Sequence, residues 1–408
     1  MASSGTSPGP GAGHADPLAT YSLDELRERR SSKWREYPPD VLPVWVAEMD
    51  TPLAEPIAAA LVAAIGRGDT GYAVAGGLPE AFAGFAARRF GWRTDPAYIR
   101  LVPDVMAGIV EVLHLVTRPG DRVVVNTPAY PPYFYWLPRI GREVVQSPLA
   151  LTPEGFRLDF AALERDFAAG AAAYLLCNPH NPTGLVFGED ELLAVAALAD
   201  RYGVRVVVDE IHAPLVYPGA RHVAFGSLDA PASARSITLA SASKAWNLAG
   251  LKAALAVPGE EARSDVAAID AEVSEAAGLL GVIASEVAFN EGEPWLAELM
   301  AGLTANRALL GDLLAKRLPE VGYQPPQATY LAWLDFRALG LGDDPAGWFL
   351  RRGGVALFPG TKFGPPGRGF ARFNFATSSE RVAEAVGQMA ASLISRPRPG
   401  MTRALNAL

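Results

Sequence analysis

The stretch Ser241-Ala242-Ser243-Lys244-Ala245-Trp246-Asn247-Leu248-Ala249-Gly250-Leu251-Lys252 joins two short apolar runs, residues 236–240 and 252–257, each of which reads as a buried strand. A lysine held between core strands is a costly placement for a charge. Burial lowers an amine's pKa and makes it a nucleophile toward carbonyl carbon. Read alone, Lys244 is more simply a strand-end lysine whose ammonium reaches water. Three further positions carry chemistry that would go with it. Asp209 ends the run Val204-Arg205-Val206-Val207-Val208. A carboxylate at the C-terminal end of a parallel core strand lies on the ligand-binding edge of an α/β sheet. Arg372 sits in the alternating run Phe370-Ala371-Arg372-Phe373-Asn374-Phe375-Ala376, so its guanidinium needs an anion, supplied by a ligand or by a structural salt bridge. Asn178-Pro179-His180-Asn181-Pro182-Thr183-Gly184 follows another apolar run, and its two Asn-Pro pairs force an extended, kinked turn. Asn181 either presents its amide to a ligand there or closes an Asx-turn.

These side chains need elements to hold them. Ile99-Arg100-Leu101-Val102 reads as a strand, and Pro103-Asp104-Val105-Met106-Ala107-Gly108 opens an apolar helix. Strand, tight turn and helix start together aim free backbone N–H groups at a phosphate, with Val105 and Met106 as donors. An ordinary capped helix is the competing reading. Asp104 would repel a phosphate dianion, so its side chain is expected to cap its own helix. In Thr127-Pro128-Ala129-Tyr130-Pro131-Pro132-Tyr133 the prolines make Tyr130 rigid. Such a ring suits stacking on a flat heteroaromatic group, or plain aromatic packing. Glycines flank Tyr72 in residues 70–77, a loop that could present a hydroxyl or merely pack. Val44-Trp45-Val46-Ala47-Glu48-Met49-Asp50 is too apolar for a linker and too short for a helix. Helices are expected over 24–30, 55–66, 79–90, 158–168, 188–202, 295–318 and 379–394, with one long helix over 261–290.

Taken together, Asn178-Pro179-His180-Asn181-Pro182-Thr183-Gly184, Asp209-Glu210-Ile211-His212, Ser241-x-x-Lys244 and Arg372-Phe373-Asn374 resemble the class I/II aminotransferase family of pyridoxal-phosphate enzymes, over roughly residues 30–394. The resemblance implies an α/β protein of the type I PLP-dependent transferase fold. That fold has a large domain with a mostly parallel seven-stranded sheet between helices, and a smaller α+β domain. It implies pyridoxal 5′-phosphate as cofactor, with Lys244 as the Schiff-base lysine and the base toward substrate. Asp209 would pair with the pyridinium nitrogen, and Tyr130 would stack on the ring and border the substrate. Asn181 would serve the phenolate oxygen and the substrate carboxylate, which Arg372 would grip bidentately. Ser241, Lys252 and the Val105 and Met106 amides would hold the phosphate, joined by Tyr72 from a second subunit. A shared site of that kind implies a homodimer with active sites at the interface. His212 either touches the phenolate side of the cofactor or is a core histidine satisfied by backbone.

Residues 44–52 look like the segment that the family lays across its active-site mouth; an edge strand is the alternative. With that segment, the Asp209-x-x-His212 pair and the Thr-Pro-Ala-Tyr-Pro-Pro turn are similar to the cystathionine β-lyase-like branch, the C–S lyases. The implied reaction is α,β-elimination from cystathionine-like L-cysteine S-conjugates, giving thiol, pyruvate and ammonia. Aminotransfer between an L-amino acid and a 2-oxo acid is the alternative. Similar lyases usually carry Asp where this chain has Glu48, and often Gly where it has Asp104.

A chain of 408 residues is long for one core. The expected division is a tail over 1–20, an N-terminal segment over 21–50 packing with the small domain, a large domain over 51–290, a small domain over 291–395 and a tail over 396–408. A net charge of −8 argues against nucleic acid and anionic membranes as partners. The single cysteine, Cys177, excludes an internal disulfide and a cysteine-based metal site, and the histidines lack HExxH-type spacing, so no metal is expected. No apolar run reaches the ~18 residues of a membrane span, and the first residues lack signal-peptide character. A cytoplasmic enzyme acting on a small amino acid is the expectation.

Overall fold

The computed structural model describes residues 16–394. The expected tails lie outside these residues, apart from 16–20, which are not a tail. Pro17–Ala19 forms a 3₁₀ turn capped by the Asp16 carboxylate, and Leu18 is fully buried against the helix Glu293–Arg317.

Seven strands form the main sheet, in the spatial order Arg100–Val102, Ala254–Pro258, Ile237–Ala240, Arg205–Asp209, Ala171–Cys177, Arg122–Thr127, Glu143–Pro148. Five of them run parallel from Ile237–Ala240 to Glu143–Pro148, and Ala254–Pro258 is antiparallel to both its neighbours. The inner strands are covered on both faces, which is why they read as unbroken apolar runs. Alternate side chains go to opposite layers. Val123, Val125, Leu175 and Val207 pack with Ile109 and Val112 of the helix Val105–Val116. Val124, Tyr174, Leu176 and Val208 pack with Leu192 and Val195 of the helix Glu189–Tyr202.

A second, antiparallel sheet runs Gly322–Tyr323, Leu331–Asp335, Phe370–Asn374, Phe358–Pro359. The helices Pro345–Gly353, Glu293–Arg317 and Ser379–Ile394 share its core with it, through Phe349, Leu303, Leu310, Val382 and Met389. Leu42–Pro43 pairs in parallel with Val355–Ala356, which ties the N-terminal segment to this layer.

The single long helix expected over 261–290 is not there. Arg263–Ala267, Ala271–Glu275 and Leu279–Glu291 are separate pieces. Asp270 caps the second by accepting from the Glu272 amide, and Gly278 breaks before the third. Packing at the second break is tight: a Cβ at Gly278 would lie 2.2 Å from the Leu251 carbonyl oxygen, and one at Gly281 would lie 2.3 Å from it, so both positions need glycine. No helix among the described residues is long and apolar enough to cross a membrane.

Candidate active site

The carboxyl ends of the parallel strands open on a cavity of about 780 Å³, the crevice where open α/β sheets bind ligands. Its walls bring together Lys244, Asp209, Asn181, Tyr130, Arg372, His212, Val105, Met106 and Lys252, residues far apart in sequence.

Lys244 lies in the turn after the strand Ile237–Ala240, and its Nζ donates to the Ala47 carbonyl at 2.9 Å. Burial, with the nearby Arg372 charge, pulls its pKa down to about 8, against the pull of Glu48 and Asp209. A substantial neutral fraction near neutral pH suits a nucleophile. Asp209 ends its strand and is 5% exposed. Burial raises its pKa, opposed by a hydrogen bond from the Tyr133 hydroxyl, the Ile211 amide and the charge of Lys244. The Tyr133 hydroxyl lies 2.6 Å from Asp209 Oδ2.

Arg372 stands opposite Trp333 and Phe358 in the second sheet. Its Nη1 donates to Asn181 Oδ1 at 2.9 Å and its Nη2 to the Trp45 carbonyl at 3.1 Å. The guanidinium lies 4.7 Å from the Phe358 ring centroid and 5.2 Å from that of Phe363. Its Nε is buried without a hydrogen-bond partner, and no carboxylate forms an ion pair with it among the described residues. The structural salt bridge considered from sequence is therefore not what holds this charge. Burial lowers its pKa to about 10, still charged at neutral pH. In the turn around Asn181, Asn178 Oδ1 accepts from the Phe187 amide at 3.0 Å, and His180 Nδ1 lies 2.8 Å from Thr183 Oγ1. Asn178 and His180 thus shape the turn that presents Asn181.

His212 is 2% exposed, and burial with the Lys244 and Arg372 charges drops its pKa to about 3. It is neutral in the working range, its ring packs edge-on against Tyr330 at 6.3 Å, and its Nδ1 has no partner among the described residues. That nitrogen is therefore not satisfied by backbone.

At the other end, Val105 and Met106 begin the helix Val105–Val116. Asp104 caps that helix as expected, its Oδ1 accepting from the Ala107 amide at 2.8 Å. Its Oδ2 pairs with Lys252 Nζ at 2.8 Å. Ser241 behaves differently. Its hydroxyl donates to the Ala253 carbonyl at 2.7 Å and accepts from the Ser243 amide at 3.1 Å, behind the wall; Ser243 is the serine that lines the cavity. Tyr72 is 87% exposed and outside the lining of its own chain's cavity.

Val46 and Ala47 line the cavity, and residues 44–51 around them are pinned from several sides. Asn374 Nδ2 donates to the carbonyls of Val46 and Glu48 at 2.7 and 2.6 Å. Asn247, in the left-handed region at φ 59° that Asn tolerates, holds both polar groups of the Met49 backbone at 2.9 Å. Asp50 accepts from Lys33 at 2.9 Å and from Trp34 Nε1 at 3.0 Å, with both ion-pair side chains fully buried. The Tyr330 hydroxyl donates to Ala47 at 3.0 Å, beside the Lys244 contact.

The residues present fit pyridoxal 5′-phosphate. A buried amine and a buried carboxylate share one cavity with a helix start, a lysine and a guanidinium that has no carboxylate partner among the described residues. A sequence profile of the family "Aminotransferase class I and II" matches residues 36–389. The chain belongs to the class I and II aminotransferase family. A protein of Mycobacterium leprae provisionally named cystathionine beta-lyase is 46% identical over 403 residues, covering 93% of this chain and 99% of that protein. The cystathionine beta-lyase of Corynebacterium glutamicum is 39% identical over 381 residues, covering 91% and 99%. Cystalysin of Treponema denticola, solved with pyridoxal 5′-phosphate, superposes with a TM-score of 0.86 at 26% identity, covering 93% and 98%. The fold is the type I fold of PLP-dependent transferases.

Two site residues escaped the family motifs. Tyr133 and Tyr330 carry no role in the sequence reading above. A local signal for Tyr133 does exist: it lies one helical turn after Tyr130, at the start of the helix Pro131–Arg139. Nothing local shows that its hydroxyl meets Asp209.

Proposed function

We propose that this chain is a PLP-dependent C–S β-lyase that cleaves cystathionine-like L-cysteine S-conjugates by α,β-elimination, releasing thiol, pyruvate and ammonia. One observation carries the reading: a single cavity holds a buried lysine, a buried carboxylate and an arginine with no carboxylate partner among the described residues. The lyase branch follows the named relatives.

Bound at Lys244, pyridoxal 5′-phosphate supplies the electron sink that lets a proton leave the substrate's α-carbon and a thiolate leave its β-carbon. The chain does the rest. Arg372 and Asn181, already hydrogen-bonded together, bind the substrate carboxylate and so set which α-carbon bond faces Lys244. Lys244 takes the α-proton; an amine with a pKa of about 8 is well matched to that task near neutral pH. Asp209, whose charged form the Tyr133 hydroxyl favours, would keep the proton on the ring nitrogen. Tyr130 would support the ring face, and neutral His212 would offer a hydrogen bond without adding charge. Lys252 and the Val105 and Met106 amides would hold the phosphate. Residues 46 and 47, with Phe358, keep bulk water from the reacting atoms.

The same reading carries a homodimer, with the exposed Tyr72 reaching the phosphate bound by the second subunit. It places the protein in the cytoplasm and divides it into a large domain over 51–290 and a small one over 291–395. The test is incubation with L-cystathionine and with S-substituted cysteines, without any 2-oxo acid. Pyruvate and thiol in equal amounts are expected. A parallel incubation with added 2-oxoglutarate that yields glutamate, with no pyruvate in either, would overturn the lyase reading in favour of aminotransfer.

A further inference from the structure

The phosphate end of the cavity carries a side chain of the wrong sign. The groups assigned to the phosphate are Lys252 and the start of the twelve-residue helix Val105–Val116. One carboxylate already holds both. Asp104 Oδ1 takes the Ala107 amide at 2.8 Å, and Oδ2 takes Lys252 Nζ at 2.8 Å. Burial pushes the Asp104 pKa up, but the bonds from Lys252 and Ala107 and the Lys252 charge hold it below the usual carboxylate range, so it is an anion in the working range. The lysine is aimed by its backbone. Lys252 sits in the left-handed region at φ 60°, an uncommon conformation for a residue with a long side chain, and its carbonyl accepts from the Gly278 amide at 2.7 Å.

We propose that Asp104 is a built-in competitor of the cofactor's phosphate group. Its carboxylate occupies the lysine and the helix start in the ligand-free protein, and it weakens the hold on phosphate when the cofactor loads. The proposal rests on the pyridoxal-phosphate reading above. The helix start contributes roughly +0.5 charge and Lys252 a full positive charge, while Asp104 subtracts a full negative one. The phosphate dianion therefore meets about a third of the positive charge that the same donors offer without Asp104. A unit negative charge beside a dianion, in water-like surroundings, weakens binding on the order of tenfold. The consequence is a cofactor that exchanges with solution more readily than the rest of the site demands.

Asp104→Asn tests this, because asparagine keeps the capping oxygen and removes the charge. Cofactor-free wild type and variant are titrated with pyridoxal 5′-phosphate, and separately with pyridoxal, which lacks the phosphate. Quenching of tryptophan fluorescence reads binding. The expected result is binding of pyridoxal 5′-phosphate on the order of tenfold tighter in the variant, with pyridoxal unchanged. A variant that binds the phosphate form no tighter than wild type, or that tightens both ligands equally, overturns the inference alone. If neither protein takes up pyridoxal 5′-phosphate, the cofactor reading falls and the inference with it. Asp104→Ser, which also keeps a capping oxygen, serves the same comparison if the asparagine variant does not fold.

Discussion

Replacing Tyr133 by phenylalanine removes one oxygen atom and tests how Asp209 is kept charged. Tyr133 is 1% exposed, and its hydroxyl donates to Asp209 Oδ2 at 2.6 Å. A hydrogen bond to a charged acceptor contributes roughly 1.5–3 kcal/mol, and no water replaces it easily at a buried site. Burial already raises the Asp209 pKa above its unfolded value, and Tyr133 is the largest force pulling it back. A group with a raised folded-state pKa stabilises the fold below its unfolded pKa, and that contribution is lost as pH rises through the folded value. Tyr133→Phe raises the folded value further, so its penalty is greatest where Asp209 must be ionised. Urea unfolding of the ligand-free protein at pH 8 should show a loss of roughly 1.5–3 kcal/mol. The loss should shrink as the pH is lowered and the variant's Asp209 takes up its proton. An equal loss at every pH, or none at any, would refute the claim that Tyr133 acts by keeping Asp209 charged.

Arg372→Lys replaces a planar fork by a point charge and gives up the Asn181 and Trp45 contacts. It should raise KM for the amino-acid substrate about tenfold or more, with kcat less affected, in steady-state kinetics. Lys33→Met strands the Asp50 carboxylate in the interior and should cost ~3–5 kcal/mol in urea unfolding. The double change with Asp50→Leu should recover most of that loss. The Lys244 amine, with a pKa of about 8, is a nucleophile only when neutral. Capture of added pyridoxal 5′-phosphate by the cofactor-free protein should therefore quicken with pH up to about 8 and then level; a flat stopped-flow profile contradicts this.

Much of this architecture is legible in the chain because both faces of the main sheet are covered. Val123-Val124-Val125 and Val206-Val207-Val208 are unbroken apolar runs, and the second ends at Asp209, which lines the cavity. The helices Glu55–Gly66 and Ser379–Ile394 stand at the expected positions. The expected break at Gly292 is also present, where a Cβ would lie 2.4 Å from Trp246 Nε1. What stayed hidden depends on contacts distant in sequence. The helix expected over 261–290 is in three pieces, and at the second break the Gly278 amide donates to the Lys252 carbonyl, a contact no local pattern shows. The Ser241 hydroxyl turned to the backbone of Ala253, a partner twelve residues away across two antiparallel strands. Tyr133 meets an acid 76 residues distant, and Ala47 meets Lys244 197 residues away.

The most direct measurement is borohydride reduction of the protein loaded with pyridoxal 5′-phosphate, followed by peptide mass mapping. The peptide containing Lys244 should alone carry the mass of the reduced cofactor, and the absorbance near ~420 nm should vanish on reduction. A label on Lys252 or another lysine, or no label at all, would contradict the assignment of the buried amine as the cofactor's anchor.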